Sequence, residues 1–113
     1  MNDRTERPWG WYEILHTEDT LQIKKIHINA GQRLSLQSHR FRSEHWFITA
    51  GIAHVELGDR SLTRRPGQSV DVKVEEKHRI GAGEEDVEFI EVQLGSYLGE
   101  DDITRYADDF GRA

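Results

Sequence analysis

Cysteine is wholly absent from the chain, which excludes disulfides and thiolate metal sites and leaves imidazole, carboxylate and amide groups to hold any metal ion. Long hydrophobic runs are absent as well. No stretch approaches the roughly 18 apolar residues of a membrane-spanning helix, and the opening MNDRTERPWGW has no apolar core of the kind a secretory leader carries. The expectation is a cytoplasmic protein with no membrane partner. Excess positive charge is lacking too: 15 lysines and arginines against 21 acidic residues leave a formal charge of −6, which argues against nucleic acid and anionic membranes as partners. A phosphate ester stays open, because it needs only a local cluster of cations. There are no internal repeats, and no 3.6-residue apolar period is visible before the last dozen positions. At 113 residues the chain is long enough for one core and too short for two.

What the chain does have is short alternating segments divided by turns. After a polar hexapeptide, Arg7 to Leu15 carries Trp9, Trp11 and Tyr12 and reads as an aromatic edge strand covering a core. Thr17 to Thr20 is a polar turn, and Leu21 to Ile28 is a strand rich in β-branched residues. Its Ile23 and Ile26 have opposite parity, which requires a bulge or cover on both faces and leaves open whether Lys24 or Lys25 points inward. Ala53, Val55 and Leu57 alternate with His54 and Glu56, Gly58-Asp59 is a hairpin turn, and Val70, Val72 and Val74 alternate with polar neighbours. On the last strand, Val87, Phe89, Glu91 and Gln93 share one face. The pattern predicts an all-β sandwich or barrel, with a short helical turn over Asp101 to Asp108.

The densest chemical signal lies in Gly31 to Gly51, GQRLSLQSHRFRSEHWFITAG. On a strand, Ser35, Gln37 and His39 fall on one face and Leu34 and Leu36 on the other. After a polar turn, Arg40-Phe41-Arg42-Ser43, a second strand starting at Glu44 shares that residue's face with Trp46 and Ile48. His45, Phe47 and Thr49 lie opposite. Parity therefore lets Glu44 join Gln37 and His39, while His45 and the later His54 turn away. His16 and His27 have no support as ligands.

The spacing reads Gly31, five residues, Gln37-Ser38-His39, four residues, Glu44, six residues, Gly51. It resembles the first sequence motif of the cupins, with Gln37 where most of them have histidine. Of the second cupin motif only Gly67 and His78 survive, at the expected spacing. Lys73-Val74-Glu75 stands where Pro-x-Gly is usual and Ala82 where asparagine is, so the turn before His78 loses the constraint of proline and the freedom of glycine. Arg7-Pro8-Trp9-Gly10, Leu34-Ser35-Leu36, Arg42 and Glu44-His45-Trp46 are similar to the cupin domain of type II phosphomannose isomerases. So are Ile90-Glu91-Val92-Gln93, Gly95 to Ile103, Arg105 and Phe110-Gly111-Arg112. In that family the domain usually ends a longer chain that also carries mannose-1-phosphate guanylyltransferase.

The resemblance spans about residues 7 to 112. It implies a single cupin domain over 1–113, a jelly-roll barrel or double-stranded β-helix, with a core of about 7–98 and a tail from 99. It further implies one divalent ion per chain (Zn, Mn, Co, Ni or Fe) held by Gln37, His39, Glu44 and His78. Such a site suits a metal-dependent sugar-phosphate isomerase of carbohydrate metabolism, interconverting mannose 6-phosphate and fructose 6-phosphate or a related hexose phosphate. Guanylyltransferase activity is not expected, since no glycine-rich nucleotide loop precedes the motif. Arg42, Arg105, Gln93 and Lys25 are the expected substrate-binding residues, and Glu91, a carboxylate on the inner face, is the candidate base. A homodimer is expected, because Phe47 and the aromatic N-terminal strand offer more apolar surface than so small a barrel covers alone. Two other readings remain: a non-catalytic sugar-binding or regulatory cupin, favoured by the lost Pro-x-Gly, and a metal-dependent oxygenase or lyase, against which Gln37 argues.

Overall fold

The computed structural model describes residues 3–112, which form eleven strands and, among those residues, no helix. In chain order they are β1 (Arg4–Arg7), β2 (Gly10–Thr17), β3 (Leu21–Ile28), β4 (Leu36–Ser38), β5 (Arg42–Ala50) and β6 (Ala53–Leu57). There follow β7 (Arg60–Arg64), β8 (Ser69–Val72), β9 (His78–Ala82), β10 (Val87–Gly95) and β11 (Thr104–Ala107). Two antiparallel sheets result, a six-stranded one in the order β1-β2-β3-β10-β5-β8 and a five-stranded one in the order β11-β4-β9-β6-β7. The expected all-β architecture is what the chain adopts.

Period-two alternation decides what each sheet buries. Ile26, Ile28, Trp46, Ile48, Val87 and Phe89 from the first sheet meet Ala53, Val55, Leu57 and Ile80 from the second, and Trp9 joins the same cluster. Truncating a fully buried ring such as Phe89 to alanine would cost ~3–5 kcal/mol, because transfer and cavity costs add. Two tight turns close the frame. Gly58-Asp59 joins β6 to β7 as expected. Gly51 takes φ +77°, where a side chain's Cβ would come within 2.1 Å of Asp86 O, so this position admits only glycine.

The inner faces are not uniform. Along β3, β5 and β10 the buried positions change from apolar at one end to charged at the other: Ile28 and Ile26 then Lys24, Ile48 and Trp46 then Glu44 and Arg42, Val87 and Phe89 then Glu91 and Gln93. Antiparallel register stacks the charged ends together, with Glu91 opposite both Lys24 and Trp46, and Gln93 opposite Glu44. One half of the barrel is therefore a hydrophobic core. The other is a polar pocket.

Several local expectations need correction. β5 starts at Arg42 rather than Glu44, because Arg42 pairs with Gly95 on β10, and its side chain is buried on the same face as Glu44. β2 is an inner strand, since the polar hexapeptide itself supplies the edge strand β1. The bulge lies on β2 between Ile14 and His16, and β3 runs unbroken with Lys24 inside. Val74 falls beyond β8 and is exposed. Residues 104–107, read as part of a helical turn, pair with β4 as the edge strand β11.

Candidate metal centre and its pocket

His39 follows β4, Glu44 sits on β5, and His78 opens β9, where it is the backbone partner of Gln37. Their spacing in sequence becomes proximity in space. One ligand atom from each of His39, Glu44 and His78 lies within 4.8 Å of the others, and all three residues are buried. His39 Nδ1 donates to Asp102 O at 2.7 Å and His78 Nδ1 to Glu76 O at 2.9 Å. A carbonyl oxygen can only accept, so each Nδ1 carries the proton and each Nε2 presents its lone pair to the site. His39 Nε2 stands 3.1 Å from Glu44 Oε2 and His78 Nε2 3.8 Å from Glu44 Oε1. Lone pairs converging on one point call for a cation between them. Two oriented imidazoles and a carboxylate fit a divalent transition metal with coordination positions left over. Gln37 lines the same cavity, and its amide N–H is used on Ser35 Oγ at 3.2 Å, which leaves the amide oxygen as the atom available to a metal.

Two buried carboxylates beside the triad are driven apart in acidity. Burial alone would raise the Glu44 carboxyl, but its polar neighbours His39, Glu91 and His78 hold it well below the usual carboxylate range. Glu91 goes the other way: burial first, then the negative charge of Glu44 and the hydrogen bond to it, push it well above that range against the opposing charges of Lys24 and Arg42. The pair is thus split, with Glu44 driven toward the anion and Glu91 toward the acid form. Burial lowers the His78 imidazole despite the pull of Glu44, which keeps it neutral, as a metal ligand must be. Trp46 spans both carboxylates, its indole N–H 3.0 Å from Glu44 Oε1 and 3.3 Å from Glu91 Oε1.

Cations ring the cavity, whose volume is about 90 Å³. Arg42 donates from Nε to Glu44 Oε2 at 2.9 Å and approaches His39 Nε2 at 3.3 Å. Its Nη1, like Nε of Arg105, is buried without a partner. Both residues were expected near substrate, and both line the cavity. Glu91 lines it too. Gln93 is fully buried and donates to Glu91 Oε2 at 3.0 Å, so it supports that carboxylate from behind instead of facing the pocket. Lys25 is placed differently from its expected role: it lies on the outer face, paired with Glu88 at 3.1 Å. Lys24 takes the inner place and pairs with Glu100. Its shared parity with Ile26 and Ile28 was the available signal. Arg7, Arg79 and Arg112 also reach the cavity; Arg7 and Arg112 stand in motifs that carry the family resemblance, and Arg79 had no sequence signal to mark it.

A family described as mannose-6-phosphate isomerase C-terminal matches residues 1–108 of the chain. The chain belongs to this family. As a member of the isomerase C-terminal family it is 44% identical over 107 residues to the xanthan biosynthesis protein XanB of Xanthomonas campestris pv. campestris, strain B100, an alignment covering 94% of this chain and 23% of XanB. The alginate biosynthesis protein AlgA of Pseudomonas aeruginosa is 43% identical over 94% of this chain and 22% of its own length. A mannose-1-phosphate guanylyltransferase of Sinorhizobium fredii is 40% identical over 91% of this chain and 20% of its own. The chain spans less than a quarter of the length of these relatives. Among solved structures, oxalate decarboxylase from Bacillus subtilis superposes with a TM-score of 0.81 at 19% identity, over 93% of this chain and 30% of that one. KdgF from Halomonas does so with a TM-score of 0.77 at 17% identity, over 88% and 89% of the two chains. At such identity the likeness concerns the fold alone, and the fold is that of the cupins.

Proposed function

We propose that this domain holds one divalent metal ion on His39, Glu44 and His78, with Gln37 as a further ligand, and interconverts mannose 6-phosphate and fructose 6-phosphate. The observation that carries the reading is that the triad shares its cavity with a second buried carboxyl, Glu91, and with buried guanidinium N–H groups on Arg42 and Arg105 that have no partner. A bound divalent ion supplies Lewis acidity toward a carbonyl and its neighbouring hydroxyl. Arg42, Arg105 and Lys24 bind and orient the phosphate, Lys24 after exchanging its present partner Glu100. Glu91 moves the proton between C1 and C2. Burial and Glu44 raise its affinity for that proton, and the charges of Lys24 and Arg42 favour the ionised form that accepts it. Gln93 and Trp46 hold its two oxygens in place.

The test is solvent exchange. Metal-loaded protein incubated with mannose 6-phosphate in deuterated water is expected to yield fructose 6-phosphate carrying deuterium at C1, and mannose 6-phosphate carrying it at C2 as the reaction reverses; metal-stripped protein is expected to yield neither. Tight binding of the sugar phosphate without exchange would assign the domain to the second reading, a sugar-binding cupin. One observation favours that alternative: burial and the charge of Glu44 push the Glu91 carboxyl well above the usual carboxylate range, and Glu100, also on the cavity wall, is paired with Lys24.

A further inference from the structure

The closing segment of the chain does more than line the pocket. Asp102, 8% exposed, accepts three hydrogen bonds from three consecutive residues of the turn between β4 and β5. Its Oδ1 takes the backbone N–H of Arg40 at 2.9 Å, its Oδ2 takes that of Phe41 at 2.9 Å, and its carbonyl oxygen takes His39 Nδ1 at 2.7 Å. Successive backbone N–H groups form a concavity that favours an anion, and here the anion is built into the protein. The segment is seated tightly around it. Asp102 N–H bonds to Gly99 O at 3.1 Å, Ser96 N–H to Phe41 O at 3.2 Å, and a Cβ on Gly95 would meet Phe41 O at 2.1 Å.

We propose that Asp102 is a positioning residue for the metal centre. Its carboxylate clamps the turn so that its own carbonyl sets the tautomer and aim of His39. The inference rests on His39, Glu44 and His78 being metal ligands. The main chain of His39 is held separately, by Glu75 N–H at 2.7 Å, so the backbone of this residue stays anchored when Asp102 is altered. What the Asp102 carboxylate controls is the register between the turn and the carbonyl that receives the imidazole proton. Without it, the amides of Arg40 and Phe41 turn to water, the carbonyl at 102 drifts, and Nε2 of His39 no longer points at Glu44. A residue that merely fastened the tail would affect stability and leave the ligand geometry alone.

The experiment titrates the full chain with Co²⁺, following both calorimetry and the visible absorption of the bound ion, for wild type, Asp102→Ala and Asp102→Asn, with far-ultraviolet circular dichroism as the check on folding. Loss of such an outer partner weakens metal binding about 10- to 100-fold, and that loss is expected for Asp102→Ala, with a changed Co²⁺ spectrum. Asp102→Asn keeps one acceptor oxygen but sets an NH₂ against the other amide, so a smaller loss of the same kind is expected. If the alanine variant does not fold, the asparagine variant decides. Wild-type affinity and an unchanged Co²⁺ spectrum in the folded variants would overturn the proposal, even with a lowered melting temperature. A wild-type protein that takes up no Co²⁺ would overturn the metal reading itself, which separates the two failures.

Discussion

Glu75 stands at φ +65° and donates its backbone N–H to His39 O at 2.7 Å, so a strained residue in the β8–β9 turn holds the main chain of a ligand residue in the β4–β5 turn. It is the only non-glycine residue with positive φ among the described residues, at the position where the cupin pattern has glycine. The left-handed conformation costs a side-chain-bearing residue roughly 1–2 kcal/mol, part of which glycine returns through its greater freedom in the unfolded chain. Glu75→Gly is therefore expected to stabilise the protein by up to ~1 kcal/mol, a rise of about 4 °C in melting temperature. The hydrogen bond to His39 is from the backbone and survives. An unchanged or lower melting temperature contradicts the strain argument.

Metal content should follow the two imidazoles. Purified protein is expected to hold about one divalent ion per chain, since a site of deprotonated ligands stores its binding energy in the folded state. Removing either imidazole, in His39→Ala or His78→Ala, should abolish tight binding, as measured by elemental analysis after dialysis. Full occupancy in the double variant would end the assignment.

Arg105 offers the cleanest test of anion recognition, because its Nε is buried and unpartnered. Arg105→Ala should weaken a phosphorylated sugar by about ten- to a hundred-fold, corresponding to ~1.5–3 kcal/mol, and leave the unphosphorylated sugar nearly unaffected. Equal losses for both sugars would rule out a phosphate role. Arg42→Ala should in addition perturb metal binding, because Arg42 also bonds to Glu44.

Acid should release the C-terminal corner of the chain. Hydrogen bonds from Arg112 lower the Asp108 carboxyl from 3.8 to about 2. A depressed carboxyl contributes stability that is fully present above its unfolded value and lost as pH falls through its folded one. The difference in melting temperature between wild type and Asp108→Asn is accordingly expected to be constant above about pH 4, to shrink below that, and to vanish under about pH 2. A difference that persists at the lowest pH would place the effect of the substitution elsewhere.

Assembly is the least constrained expectation. On the outer face of the six-stranded sheet, Phe47 pairs with Ile90, and Val92 lies between His45 and Ile23; Phe47 is 43% exposed and the nearby Leu94 57%. An apolar stripe of this kind on a small barrel is expected to pack against a second copy, with the N-terminal strands beside the interface. Light scattering at tens of micromolar should then report a dimer, and Phe47→Lys with Leu94→Lys a monomer. A monomeric wild type at that concentration disproves the packing.

Much of this was legible from parity. Glu44 and His39 meet because period-two alternation leaves no other choice once the turn is counted, and Glu91 and Gln93 are buried because Val87 and Phe89 share their face. Arg42 misled because a charged residue before a strand looks like part of the turn, and only cross-strand pairing with Gly95 shows that the strand has begun. The β2 bulge lay outside the reading for a similar reason: register depends on the partner strand, not on the strand's own residues. β11 carries no apolar alternation, being an edge strand of Thr104, Arg105, Tyr106 and Ala107, and the acidic residues just before it suggested a helical turn. Asp102 fell in the family-like segment Gly95 to Ile103, but nothing local marked it as a partner of the metal-centre turn. Its three contacts join residues 61 to 63 positions away.

Trp46 lies where the apolar half of the barrel meets the charged half, packed on Phe89 at 5.6 Å and edge-on to His78 at the same distance, with its N–H on two carboxylates. The indole is therefore a built-in fluorophore in contact with Glu44, Glu91 and His78. A paramagnetic ion at the triad would quench it, and a shift of the proton from Glu91 would move its emission. Trp11, stacked on His27 away from the pocket, adds a background that Trp11→Phe removes, and Trp9, which lines the same cavity, remains beside Trp46 as a second emitter. Occupancy of the site could then be followed by light alone, without a label and without turnover.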